Sequence, residues 1–175
     1  PRLMFYRVGR HVFGGDRSFL AASESIARIP GMRGVYARQA FYRMTLAACG
    51  LDVYFGWLST FSMTVAEVGE GTYIGRRCSV GFARIGKKVM LADGVQILSG
   101  GREHGTAAVG GVHQDESQTF ERVVVGDGAW IGTGAVIMTD VGAGAIVGAG
   151  AVVTKPIPPR CVAVGVPAKV VKALE

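Results

Sequence analysis

The chain has 175 residues, of which 49% are hydrophobic, and its formal net charge is +6. This length suits one domain with an appendage, and the apolar content suffices for a continuous core. No apolar run reaches the roughly 20 residues of a membrane-spanning helix, and no signal peptide is visible. The positive charge suits an anionic partner, such as a phosphate-bearing cofactor, an acidic acceptor or a membrane surface; a merely solvated basic surface is an equal alternative.

The three cysteines, Cys49, Cys78 and Cys161, have no metal-like spacing. We expect buried thiols in a reducing compartment, and therefore a cytoplasmic protein. The chain begins at Pro1 without a methionine, which leaves open whether residues upstream of Pro1 were removed.

Residues 1–52 are predicted to form a helical and irregular N-terminal segment. Its first 15 residues are basic and aromatic without a clear period, and apolar spacings of three and four predict helices at residues 18–29 and 35–49. These basic helices could lie on a membrane face as a peripheral contact. Packing against the next domain is favoured, because that domain is a solenoid whose open end must be covered.

From Val68 onward the sequence repeats with a period of six, apart from irregular steps and one insertion. An aliphatic residue followed by glycine recurs at Val68-Gly69, Ile74-Gly75, Val80-Gly81, Ile85-Gly86, Val125-Gly126, Ile131-Gly132, Val141-Gly142 and Val147-Gly148. Counting the aliphatic residue as the first of six, and Leu91-Ala92 as a further repeat, the fifth place holds Thr72, Cys78, Val89, Val95, Ala129, Ala135, Ala145 and Ala151. Such a short period is typical of a parallel β-helix. The aliphatic side chains would point inward, and glycine would occupy corners where a positive φ is often needed.

We therefore predict a β-helix over residues 53–167, with an irregular first coil at 53–64. A polar, glycine-rich insertion at residues 99–122 interrupts the repeats, where a functional loop would project. Residues 168–175 are predicted to form a short C-terminal helix that caps the last coil.

The insertion holds two of the three histidines, His104 and His113. Histidine is the side chain whose pKa lets it serve as a base near neutral pH. His104 lies closer to the repeats and is the favoured base, whereas His113 is more readily a solvent-facing residue. A zinc site would need a third ligand such as His11, so a metal-dependent hydratase is the weaker alternative and no metal is expected.

The runs VVVGDGAWIGTGAVIM, IVGAGAVVTKPIPP and VAVGVPAKVVK resemble the hexapeptide-repeat acyltransferases, in particular the maltose, galactoside and capsule O-acetyltransferases. The resemblance covers about residues 65–172. It implies a mainly β fold, a left-handed parallel β-helix, and a homotrimer with active sites between adjacent subunits. It also implies acetyl-CoA as the acyl donor and His104 as the general base that removes the acceptor's proton, so that the acceptor attacks the thioester directly.

The same resemblance assigns residues to the donor. Trp130 matches the family's aromatic residue on the pantetheine arm, and Lys169 and Lys172 match basic residues on the CoA phosphates. Positions along the cofactor groove are matched by Thr133, Ala149, Thr154 and Lys155. Trp130 could instead be a surface or trimer-packing aromatic residue, and the lysines plain solubilising charges.

The acceptor region departs from the family pattern. Sugar-acetylating relatives carry an asparagine and a carboxylate on the rung before the catalytic loop, whereas this chain has Arg76 and Arg77 there and no asparagine. The arginines make an anionic or lipid-linked saccharide conceivable. Asp115 and Glu116 could orient the histidine or bind acceptor hydroxyls, or they could be solvated loop charges.

These observations together predict an acetyl-CoA-dependent O-acetyltransferase that acts on a saccharide or glycan acceptor, without a nucleic-acid partner. An N-acetyltransferase acting on an amino sugar and a non-catalytic solenoid scaffold are the alternatives.

Overall fold

The computed structural model describes residues 15–100 and 120–175. These ranges contain two helices, α1 (Gly15–Ala27) and α2 (Gly31–Thr45), followed by short strands. The strands are β1 (Ala48–Cys49), β2 (Tyr54–Phe55), β3 (Thr60–Phe61), β4 (Glu67–Val68), β5 (Tyr73–Ile74), β6 (Ser79–Val80), β7 (Ala83–Ile85), β8 (Met90–Leu91), β9 (Gln96–Ile97), β10 (Val123–Val125), β11 (Trp130–Ile131), β12 (Val136–Ile137), β13 (Ile146–Val147), β14 (Val152–Val153), β15 (Cys161–Val164) and β16 (Lys169–Ala173). The residues predicted in the insertion or near the N-terminus, His11, His104, His113, Asp115 and Glu116, lie outside the described residues.

The strands form three sheets that the chain visits in turn. Sheet A has the order β1-β4-β7-β10, sheet B the order β2-β5-β8-β11-β13-β15-β16, and sheet C the order β3-β6-β9-β12-β14. One strand from each sheet makes one coil, and isolated bridges at Val141 and Ile157 extend sheet A past β10. The described residues therefore form a parallel β-solenoid of about five turns, which confirms the fold predicted from the six-residue period.

The core of the solenoid is a stack of the predicted inward residues. Within β11, Trp130 is exposed and Ile131 is fully buried, and the same alternation recurs from coil to coil. The fifth-place residues are also buried, including Cys78 at 1% exposure, so that this cysteine is a packing residue. Because each buried aliphatic side chain contributes about 1.5–3 kcal/mol, the repeat itself supplies most of the stabilising core.

Glycine performs two different functions at the corners. A Cβ atom on Gly132 would lie 2.5 Å from the backbone nitrogen of Ala149 in the next coil, so this glycine permits close stacking. Gly134, two residues later, has open space around it but a φ of +67°. The positive φ predicted for the corner thus falls on the second glycine, whereas the glycine after the aliphatic residue is required by packing.

The two N-terminal helices cover the open end of the solenoid. Phe19 of α1 and Tyr42 of α2 are fully buried and join the same core cluster as Phe55 and Phe61 of the first coil. This agrees with the packing interpretation of the helices. Neither helix in the described ranges is long and apolar enough to cross a bilayer.

All four predicted helix boundaries needed correction: the helices predicted at residues 18–29 and 35–49 span Gly15–Ala27 and Gly31–Thr45. The second helix was expected to reach residue 49, but α2 ends at Thr45 and Cys49 lies in β1, in register with Val68. The first coil therefore begins within the segment assigned to the helix. The coil at residues 53–64, predicted to be irregular, contains regular strands whose inward side chains are aromatic, which hid the aliphatic pattern.

The predicted C-terminal helix is wrong. Residues Lys169–Ala173 form β16, which pairs antiparallel with β15 (Cys161–Val164). The last strand of an open sheet exposes unpaired backbone groups, and a returning strand satisfies them as well as a helix would cover them. The adjacent Val170 and Val171 favour the extended conformation because β-branched side chains fit a strand better than a helix.

Candidate functional site

Sheet B carries a continuous line of apolar side chains on its outer surface, which we call the apolar column. It consists of Tyr54, Tyr73, Met90, Trp130, Ile146 and Val162, each in register with the next. Tyr73, Met90 and Trp130 are 40%, 53% and 51% exposed, so these large side chains face outward. The rings of Tyr54 and Tyr73 stack with centroids 4.8 Å apart. Partial burial against Tyr54, with the nearby charge of Asp93, raises the pKa of the Tyr73 hydroxyl.

The outer surfaces of the other two sheets differ in character. On sheet A, Glu67 forms ion pairs with Arg84 at 3.4 Å and with Arg122 at 2.8 Å. On sheet C, strands β6 and β9 expose Ser79 and Gln96, which are in register with each other. Trp130 is therefore not a scattered surface aromatic: it belongs to an apolar column that the other two surfaces lack.

A second line of residues runs along the corner between sheets B and C, which we call the B–C edge. It consists of Trp57, Arg76, Asp93, Thr133 and Ala149, stacked coil upon coil. Arg77 N donates a hydrogen bond to Trp57 O at 2.9 Å, and Gly134 N donates one to Asp93 O at 2.9 Å. The predicted groove residues Thr133 and Ala149 thus share an edge with the predicted acceptor residue Arg76.

The predicted groove residues Thr154 and Lys155 lie elsewhere. They follow β14 of sheet C and so occupy the corner between sheets C and A, which we call the C–A edge. The insertion starts from this same edge: Glu121 N donates to Ser99 O at 2.9 Å, and Phe82 N donates to Ser99 Oγ at 2.9 Å. The two ends of the insertion are therefore fixed together at one point of the solenoid.

The predicted phosphate-binding lysines lie at the far end of the apolar column. Lys172 of β16 is in register with Val162, and Lys169 with Val164; both lysines are exposed. Since neighbouring strands are about 4.8 Å apart, the three strand steps from Trp130 to Lys172 span about 14 Å. The apolar column of sheet B therefore ends at two positively charged side chains.

Arg77 takes no part in either line. It adopts a positive φ of 55° at the corner, and its backbone nitrogen holds the stack to Trp57. Nothing in the described residues brings its side chain to the apolar column. Its neighbour Arg76 is the residue of this pair that faces a cavity.

Sequence reasoning identified only Trp130 of the apolar column, and on the B–C edge it missed Trp57 and Asp93. The signal was available, because the residue before the inward aliphatic or aromatic residue is Tyr54, Tyr73, Met90 or Trp130 in four successive coils. Within residues 15–100 and 120–175, no group of three His, Cys, Asp or Glu residues could hold a metal ion.

Several solved structures with this architecture are acetyltransferases. A maltose O-acetyltransferase from Clostridium difficile 630 matches with a TM-score of 0.76 and 27% identity, covering 91% of this chain and 87% of its own. Galactoside acetyltransferase in complex with coenzyme A matches with a TM-score of 0.75 and 23% identity, covering 100% and 92%. This chain therefore has the fold of the hexapeptide-repeat acetyltransferases.

A third hexapeptide-repeat acetyltransferase, from Vibrio cholerae O1 biovar eltor in complex with acetyl-CoA, matches with a TM-score of 0.74 and 19% identity, covering 91% of this chain and 87% of its own. These matches confirm the left-handed β-helix and the acyltransferase class that the family resemblance implied. No protein-family model matches the chain, and no curated protein does either.

Proposed function

We propose that the protein is an acetyl-CoA-dependent O-acetyltransferase that moves an acetyl group to a hydroxyl of a saccharide-type acceptor. The observation that carries the donor assignment is the apolar column ending at Lys172. A pantetheine arm is thin and largely apolar, whereas the nucleotide end of CoA carries phosphates, so the order of Trp130 and Lys172 suits its two ends. Two of the similar structures hold coenzyme A or acetyl-CoA.

We propose further that the enzyme is a homotrimer with sites between protomers. In one chain, Trp130 and Thr133 lie on sheet B and the B–C edge, whereas Thr154, Lys155 and the start of the insertion lie on the C–A edge. Sheet C separates the two groups. A ligand held by both is best accommodated between the B–C edge of one protomer and the C–A edge of the next.

In the proposed reaction, His104 acts as the general base. It accepts the proton of the acceptor hydroxyl while the oxygen attacks the thioester carbonyl, the C–S bond breaks, and CoA leaves as the thiol after taking up a proton. A positioned base of this kind contributes roughly 10²–10⁴-fold. Because a bare hydroxyl is a weak nucleophile, the reaction depends on that base.

The acceptor is proposed to be a saccharide because two similar structures are named for maltose and galactoside acetylation. A thiol-release assay with acetyl-CoA across neutral sugars, acidic sugars, lipid-linked glycans and amino sugars tests the assignment. Acceptor-dependent release with a hydroxyl acceptor supports it. Release only with amines would replace it by N-acetylation, and no release together with no CoA affinity would favour a scaffold.

A further inference from the structure

A cavity of about 440 Å³ lies where the helices meet the B–C edge of the first two coils. Its lining is largely apolar, with two cationic side chains among it: Pro30, Gly31, Met32, Val35, Arg38, Tyr54, Trp57 and Arg76. Ligand pockets typically have 300–1,000 Å³, an apolar or aromatic lining and a few polar groups. The cavity has these features and no carboxylate in its lining.

Arg38 is a buried cation without a carboxylate partner among the described residues. Its side chain is only 1% exposed, and it donates from Nε to Phe55 O at 2.9 Å and from Nη1 to Ile29 O at 2.9 Å and Ala27 O at 3.4 Å. These bonds fasten the end of α1 to the first coil. No described residue accepts a hydrogen bond from Nη2, and burial lowers the pKa of the guanidinium.

The opposite side of the cavity is formed by aromatic rings and a second guanidinium. Trp57 is 42% exposed, and its Nε1 donates to Arg28 O at 3.4 Å, which fixes the indole. Tyr54 is held by its stack on Tyr73. Arg76 is exposed, and its backbone nitrogen donates a hydrogen bond to Asp93 Oδ1 at 2.8 Å.

We infer that this cavity binds an acidic saccharide unit of the acceptor, with its carboxylate or phosphate on the exposed guanidinium of Arg76, its sugar ring against Trp57, and the buried positive charge of Arg38 in the wall of the same cavity. Guanidinium groups bind carboxylates and phosphates through paired hydrogen bonds. A fixed, open indole offers a flat apolar surface to the C–H face of a sugar. The inference rests on the proposed acetyl transfer to a saccharide, and it specifies an anionic acceptor.

Direct binding tests the inference independently of catalysis. The chain has two tryptophans, so a Trp130→Phe variant leaves Trp57 as the single tryptophan, whose emission can be excited selectively over that of tyrosine. We would titrate it with trigalacturonate, glucose 1-phosphate, inorganic phosphate and the neutral control maltotriose. Quenching by an acidic saccharide, with at least tenfold weaker binding of maltotriose, is expected. The uronate and phosphate sugars distinguish the two anionic groups.

Arg76→Gln should weaken the acidic saccharide about tenfold, as expected for a lost charged hydrogen bond. Arg84→Gln is the matched control, because it removes one exposed positive charge from sheet A and should leave the affinity unchanged. Equal binding of maltotriose, binding of inorganic phosphate alone, or equal losses in the two variants would overturn the inference. Acidic-saccharide binding without acetyl transfer would refute the proposed activity alone, and transfer to neutral sugars without such binding would refute this site alone.

Discussion

Trp130 lies beside Met90 in the register of sheet B, so that the indole extends an apolar surface that begins three coils earlier at Tyr54. A monomer seldom leaves such a continuous row of large apolar side chains without a partner. We propose that the pantetheine arm of the donor and a neighbouring protomer cover this apolar column.

Replacing Trp130 with alanine should raise the KM for acetyl-CoA about tenfold, because the lost contact removes apolar area from the pantetheine arm. Half of the side chain is exposed, so the melting temperature should change little. Val124→Ala, at an outward position on sheet A, is the control for a general surface effect. An unchanged KM in the Trp130 variant would mean that the indole has a packing function only.

The lysines at the end of the column give a second prediction. Changing both Lys169 and Lys172 to alanine should raise the KM for acetyl-CoA about tenfold at low salt, and the difference should shrink at high salt because ions screen exposed charges. The double variant of Arg84 and Lys87 removes the same charge from a distant corner. If both double variants behave alike, the lysines act only through net charge.

The two kinds of glycine predict two different costs. Gly132→Ala places a Cβ atom 2.5 Å from a backbone nitrogen, and should destabilise the solenoid by about 3 kcal/mol, the upper range for overpacking. Gly134→Ala meets open space and carries only the cost of a left-handed conformation, about 1–2 kcal/mol. Urea unfolding measures both, and the reverse order would contradict the stacking function of Gly132.

The hydroxyl of Tyr42 joins both helices to the solenoid. It lies 2.8 Å from Ser23 Oγ and donates to Ser59 O at 3.2 Å. Tyr42→Phe should therefore cost about 1–3 kcal/mol, because it leaves buried groups with fewer partners. Tyr36→Phe on the exposed side of α2 is the control, with a change below about 0.5 kcal/mol.

The same residue should influence the alkaline limit of stability. Burial raises the pKa of the Tyr42 hydroxyl far above its ordinary value of 10.0. Above pH 10 the unfolded chain loses this proton and the folded chain keeps it, so folding stability falls by about 1.4 kcal/mol per pH unit from this group. The fall measured between pH 10 and 11 should be smaller by about 1 kcal/mol in Tyr42→Phe, because half of the unfolded chains still keep this proton at pH 10, and equal falls would contradict the raised pKa.

The six-residue period predicted the solenoid because aliphatic, small and glycine residues each meet a fixed geometric need in every coil. The same reasoning failed at the ends of the solenoid. Residues 169–173 pair with a strand edge, which is a tertiary effect that local spacing does not encode. Phe55 and Phe61 replaced the aliphatic residues beneath the helices, and this masked the first coil.

The candidate site was predicted in part. Motifs could assign Trp130, Thr133, Lys169 and Lys172 to the donor. They could not show that Thr154 lies on a different edge, because this depends on which side of the solenoid each six-residue repeat occupies. The cavity at Arg38 was not predictable, because the arginine belongs to a helix and its neighbours to the first coil. Only the fold brings Arg38 and Arg76 together.

The most direct test of the central claim is acceptor-dependent thiol release from acetyl-CoA by the intact protein and by His104→Ala, with CoA affinity measured by calorimetry in both. His104→Ala should lower the rate of thiol release at least a hundredfold and leave the affinity for CoA unchanged. Unchanged release by His104→Ala would contradict the base assignment, and the absence of CoA binding and of thiol release in the intact protein would contradict the acetyltransferase itself.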